Sequence, residues 1–204
     1  MQENKTVDDK ENLAQRLEKV DVDSANIIRN ADSKLKQLST PFFRVGKIYR
    51  VSQSLTTRPL VIFIGIDEKD FAAVLNANPD GYFELAKKSE LVLETRDLKL
   101  DYAKTFLETV ESKNKRLLIL QNVKDIKERP NLDETKKKEF VAFQSKYEKI
   151  IVPPYVNDSI PYEATFFVVK KQDLVRLDLY VSADGKIEIK DTVLEKNILI
   201  PYAL

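Results

Sequence analysis

The stretch LVRLDLYVSADGKIEIK, residues 174–190, decides how the rest of the chain is read. Leu177, Leu179 and Val181 alternate with Asp178, Tyr180 and Ser182. Beyond Ser182-Ala183-Asp184-Gly185, Ile187 and Ile189 alternate with Glu188 and Lys190. Successive side chains of a strand point to opposite sides, so a period of two on both arms of a Gly-containing turn describes a β-hairpin with one core face and one polar face. Most of the predicted strands follow one another directly, as a run of antiparallel strands does. The class expected is therefore α+β: an N-terminal helical segment, a mostly antiparallel sheet domain with two further helices, and this C-terminal hairpin.

Working upstream, residues 164–169 read as another strand, and 155–160, bracketed by Pro153-Pro154 and Pro161, as an extended loop. Asn131 and Glu134 stand at capping-box spacing before Phe140, Phe143 and Tyr147, the pattern of an amphipathic helix. Four consecutive apolar residues, Leu117 to Leu120, suggest a strand covered on both faces. Before them Leu100, Ala103, Phe106, Leu107 and Val110 mark a helix with Asp101 as its cap. Downstream of the hairpin, Ile198, Leu199, Ile200, Tyr202 and Leu204 predict a last strand.

At the other end, residues 8–38 hold neither Pro nor Gly, and Leu13, Leu17, Val20, Ile27, Ile28, Ala31, Leu35 and Leu38 recur at helical spacing. Ser24 interrupts the seam, and Asp21, Asp23 and Ser24 are good caps for a second helix, so one bent helix and a helical hairpin are both open. Thr40-Pro41 ends the pattern. Residues 43–51 around Gly46, 59–66 and 71–77 read as strands. Asn78-Pro79-Asp80-Gly81 reads as a turn that returns the chain to the sheet through 82–85 and 91–94. The expected organisation is a helical segment over 1–38 and an α+β domain over 39–204, divisible into 39–124 and 130–204.

Composition narrows the chemistry. The 204 residues carry 43% hydrophobic and 33% charged side chains, enough apolar material for a sizeable core beneath a densely charged surface. There is no His and no Cys, which removes histidine-based triads, thiol redox centres and thiolate or imidazole zinc sites. Four glycines, at 46, 65, 81 and 185, cannot supply a P-loop or a dinucleotide-binding fingerprint. No cofactor and no metal is expected. With 34 basic against 33 acidic residues there is no global field for nucleic acid or anionic lipid, and acidic residues interleave every basic run, which disfavours a nucleic-acid partner. Residues 1–10 are polar and no long apolar run follows, so no membrane partner and a cytoplasmic location are expected.

Two constellations hold chemistry. Asp178, Glu188 and Lys190 fall on one face of the hairpin, where two carboxylates and a lysine could share Mg²⁺ and position a water. An Asp followed by E-x-K on the next strand resembles the core of restriction-endonuclease-like nucleases, and the resemblance implies metal-dependent phosphodiester cleavage. The competing reading is a solvated face with cross-strand charge pairs. Second, residues 46–51 (GKIYRV) followed by Arg58-Pro59 and an apolar run resemble the opening of the SH3-like barrels of plasmid-addiction endoribonuclease toxins; that resemblance implies that Arg58 stabilises phosphate charge. The competing reading is a proline that starts a strand, beside a surface arginine.

The function expected is therefore non-enzymatic: protein–protein interaction or self-association. The contacts would run through Leu13, Leu17, Val20 and Ile27 of the amphipathic helix and through either an exposed sheet edge or the aromatic loop with Tyr155. The alternative is a nuclease acting through Asp178, Glu188 and Lys190 or through Arg58.

Overall fold

The computed structural model describes residues 2–54, 60–111, 117–158 and 161–201. The architecture is α+β with two antiparallel sheets. The chain divides into two compact units, Met1–Val110 and Glu111–Leu204.

The first unit begins with helix α1 (Gln2–Glu18) and helix α2 (Val22–Arg29). Of the two open alternatives the chain takes two helices, and the break falls at the cap-rich segment: the Asp21 carboxylate accepts from the Ser24 amide at 2.9 Å and from the Ser24 hydroxyl at 2.9 Å. Arg29 clamps the hairpin by ion pairs to Glu18 (2.9 Å) and Glu11 (3.2 Å). Strands β1 (Ser33–Gln37), β2 (Lys47–Gln53), β3 (Leu60–Ile66) and β4 (Ala72–Val74) then form a sheet in sequence order. Leu13, Ala14, Leu17, Ala25 and Ile28 pack on one face of it, against Val51, Ile62, Ile64, Ile66 and Ala72. Helix α3 (Pro79–Lys88) reaches the opposite face at Gly65, where the absent side chain makes room for Leu85. Helix α4 (Arg96–Phe106) continues into a π-helical turn, Leu107–Glu111. Phe42, Phe43, Tyr82, Tyr102 and Phe106 form an edge-on aromatic cluster, and the Tyr82 hydroxyl donates to the Tyr102 carbonyl at 3.0 Å.

Three local expectations for this unit are corrected. Residues 33–37 are strand, not the end of a helix. The Ser33 hydroxyl turns the chain by donating to the Ile27 carbonyl (2.5 Å), and Leu35 reaches the same apolar cluster from a strand opposite Val51. Asn78-Pro79-Asp80-Gly81 opens α3 instead of turning between strands. Asn78 accepts from the Gly81 amide at 2.9 Å, and Pro79 sits in the first turn, where its missing N–H costs nothing. The residues expected to continue the sheet, Tyr82 to Leu85, are therefore helical, and Leu91 makes only an isolated bridge with Phe43. The cap of α4 is Thr95, one turn and more before Asp101, so this helix starts at Arg96.

In the second unit, β5 (Leu117–Ile119), β7 (Tyr162–Lys170), β8 (Asp173–Val181) and β9 (Ile187–Glu195) form the sheet, and β6 (Tyr155–Asn157) pairs with the first part of β7. The extended loop expected at 155–160 is thus partly strand. The β8–β9 hairpin keeps the expected alternation on β9, where Glu188 and Lys190 are exposed, but on β8 Asp178 is buried along with Leu177, Leu179 and Val181. Helix α5 (Glu134–Tyr147) is capped by Asp133, not Asn131, through a 2.8 Å bond from the Lys136 amide. Its Phe140 and Tyr147 join Phe167, Val169 and Leu174 in a core that also takes up Ile198 and Ile200. Those two isoleucines bury themselves without a strand: residues 197–201 make irregular contacts, such as the Ile198 amide to the Gln172 carbonyl at 2.8 Å.

Candidate functional site

The hairpin carboxylates occupy one face but different environments. Asp178 stands opposite Lys190, and Glu188 stands opposite Tyr180. Asp178 is 6% exposed, and its Oδ1 accepts from the Thr165 hydroxyl at 3.0 Å and from Arg176 Nε at 2.8 Å. Arg176 also approaches Glu163 at 3.7 Å, and the Asp178 hydrogen bond holds the guanidinium more firmly protonated than usual. Glu188 and Lys190 lie out in solvent. Among the described residues no group of three or more acidic side chains is placed to hold a metal ion. The contacts of this face gather on Arg176, which joins Asp178 of its own strand and Glu163 of β7, while Glu188 and Lys190 take no part in them. Arg58 lies outside the described residues.

The contact residues expected from the helical seam separate into two sets. Leu13 (2% exposed) and Leu17 (0%) are consumed by the core of the first unit, and Ile27 packs against that core. Their surface is spent within the chain, which removes Leu13 and Leu17 from any outward contact. Val20 (66%) and Tyr155 (44%) remain exposed.

Val20 stands on the rim of a cleft of about 630 Å³ within the first unit. Edge strand β4, with Phe71 before it, makes one side; Val20 and Asp21 of the α1–α2 turn and Asn78, Asp80, Gly81, Glu84 and Lys88 of α3 make the others. Four carboxylates, Asp21, Asp70, Asp80 and Glu84, face one ammonium, that of Lys88. Asp21 is occupied in capping α2, and Glu84 lies 3.7 Å from Lys88. Asp70 and Asp80 are exposed and have no ion-pair partner among the described residues. The cleft therefore combines small apolar surface, from Val20, Ala73 and Val74, with unbalanced negative charge, a combination suited to a ligand that is apolar in part and cationic in part.

Of these lining residues only Val20 stands out in the sequence. Asp21, Asp70, Asp80 and Glu84 share no motif spacing, because three separate elements bring them together. The one local signal is Asn78-Pro79-Asp80 taken as a helix start, which sets Asp80 and Glu84 four residues apart on one helical face. Comparison with family models, with curated proteins and with solved structures gives no match for this chain.

Proposed function

We propose that the protein is a non-enzymatic interaction or assembly protein, and that it holds a cationic segment of a protein partner in the cleft of the Met1–Val110 unit. The observation that carries this reading is the pairing of Val20, an apolar side chain left 66% exposed, with the exposed carboxylates of Asp70 and Asp80, which have no ion-pair partner among the described residues. A protein partner with lysine or arginine beside small apolar residues answers both features at once. Attraction of this kind contributes most to association rate and selectivity, and it weakens with salt.

Calorimetric titration of the full chain with a short capped peptide that alternates lysine and valine tests the proposal. Binding that weakens at high salt, and that falls about tenfold in an Asp70→Lys/Glu84→Lys variant with unchanged melting behaviour, supports it. Equal binding of the glutamate–valine counterpart, or indifference to the double charge reversal, overturns it.

A further inference from the structure

We infer that the partner segment binds as an added strand, antiparallel to the outer edge of β4. This rests on the proposal that the cleft is the contact surface, and it names the form the occupant takes.

The hydrogen-bond phase of β4 is fixed by its neighbours. The Asp67 amide donates to the Phe71 carbonyl, and the Leu75 amide to the Phe63 carbonyl. Residues 71 and 75 thus turn their main-chain groups toward β3, and alternation assigns the same direction to Ala73, opposite Gly65. Ala72 and Val74 point theirs the other way. The side chain of Asn78 confirms this phase, since its Nδ2 reaches the outward carbonyl of Val74 at 2.8 Å. β4 ends the sheet order, so no described strand covers this edge, and the cleft opens along it. An incoming strand therefore meets the Ala72 N–H, the Ala72 carbonyl and the Val74 N–H.

Side-chain placement follows from the same alternation. Ala72 and Val74 belong to the face that carries α1 and α2, together with Val20, while Ala73 shares the α3 face with the walls that hold Asp80 and Glu84. Residues of the added strand directly opposite Ala72 and Val74 lie on the Val20 side and are the apolar ones. Those between them lie on the α3 side and are the cationic ones. Charge complementarity thus selects a segment that alternates basic and small apolar residues, and every pairing in this sheet is already antiparallel.

Main-chain N-methylation separates strand addition from other modes of binding. In an antiparallel pair the residues opposite Ala72 and Val74 direct their N–H groups at β4, so the lysine–valine peptide methylated on its valine nitrogens loses binding at least about tenfold, whereas methylation on the lysine nitrogens leaves affinity within about twofold. The unmodified peptide also slows amide exchange at Ala72 and Val74 in the full chain. If the unmodified peptide binds the cleft, but both methylated forms bind equally and neither amide gains protection, strand addition is wrong and the cleft proposal stands. If no cationic peptide binds at all, both fail.

Discussion

Arg16 and Asp67 tie the first helix to the β3–β4 turn: Arg16 Nη2 donates to Asp67 Oδ1 at 3.0 Å and to the Phe71 carbonyl at 2.8 Å, and Nη1 donates to the Asp67 carbonyl at 3.1 Å. The same Oδ1 accepts from the amides of Lys69 and Phe71, so a single carboxylate both shapes the turn and receives the helix. Removing Asp67 leaves a largely buried guanidinium without its charge partner, although still bonded to two carbonyls, and leaves two turn amides without their acceptor. Asp67→Ala should therefore cost about 3–5 kcal/mol, and Arg16→Met about half of that, because its stem can remain packed. Urea unfolding of the two variants beside the parent chain checks the order. Asp67→Ala should also weaken peptide binding, since this turn carries Asp70 and Phe71 into the cleft.

Gly65 is required by its neighbour on α3. A Cβ there would stand 2.5 Å from Leu85 Cδ2 and 3.3 Å from Leu75 Cδ2, and both leucines are fully buried. Gly65→Ala should destabilise by about 1–3 kcal/mol through overpacking. Leu85→Ala alone should cost about 2–5 kcal/mol by leaving a cavity, yet the double variant should cost clearly less than the two together, because the added methyl enters space that the leucine vacates. A double-mutant cycle by chemical denaturation measures this coupling, and strict additivity would contradict it.

The polar face of the β8–β9 hairpin makes opposite predictions for its two carboxylates. Asp178 is buried and bonded to Thr165 and Arg176, so Asp178→Ala should lower stability by about 1–3 kcal/mol. Glu188 is exposed, and Glu188→Ala should stay within about 0.5 kcal/mol. Incubating the parent chain and Glu188→Ala with nucleic acid and Mg²⁺ tests the nuclease alternative on the same residues. Cleavage that disappears with Glu188 would replace the reading of a solvated face with a catalytic one.

The end of β9 is fastened to α5 by Glu195, whose carboxylate meets Lys146 at 2.7 Å and the Tyr147 hydroxyl at 2.9 Å. These bonds, Lys146 foremost, hold the Glu195 carboxyl below its usual range, and Glu195 in turn raises Lys146. A depressed carboxyl stabilises the fold above its unfolded value, about 4.3, and that contribution fades as pH falls through the lower folded value. A raised ammonium contributes below about 10.4 and is lost as pH rises beyond its folded value. The stability difference between the parent and Lys146→Met should thus be level across neutral pH and shrink in acid. Denaturation midpoints followed from neutral pH into acid should show this; a gap that grows in acid would contradict it.

The hairpin at 174–190 was legible because Leu177, Leu179 and Val181 turn to the core while Glu188 and Lys190 turn to solvent, which writes a period of two into the sequence; the burial of Asp178 on the polar face left no such mark. The N-terminal seam was legible as apolar spacing but not as to its end. Leu35 satisfies the helical spacing and also fits a strand flanked by Lys34 and Lys36, and only its pairing with Val51 decides between them. Asn78-Pro79-Asp80-Gly81 misleads for a related reason. Asn, Pro and Asp serve turns and helix starts alike, and the outcome depends on Leu85 finding the space above Gly65. The cleft left least trace of all. Its carboxylates come from the α1–α2 turn, the β3–β4 turn and α3, so tertiary pairing alone creates the negative charge around Val20.

A partner held in this cleft, as proposed, must perturb the backbone that lines it. Amide chemical-shift mapping of the full, isotope-labelled chain during titration with the lysine–valine peptide tests it most directly. The shifted resonances should gather at residues 20–21, 70–74 and 78–88, and the Asp70→Lys/Glu84→Lys variant should lose them. Shifts gathered instead around Tyr155 and the β8–β9 hairpin, or unaltered in the variant, would contradict it.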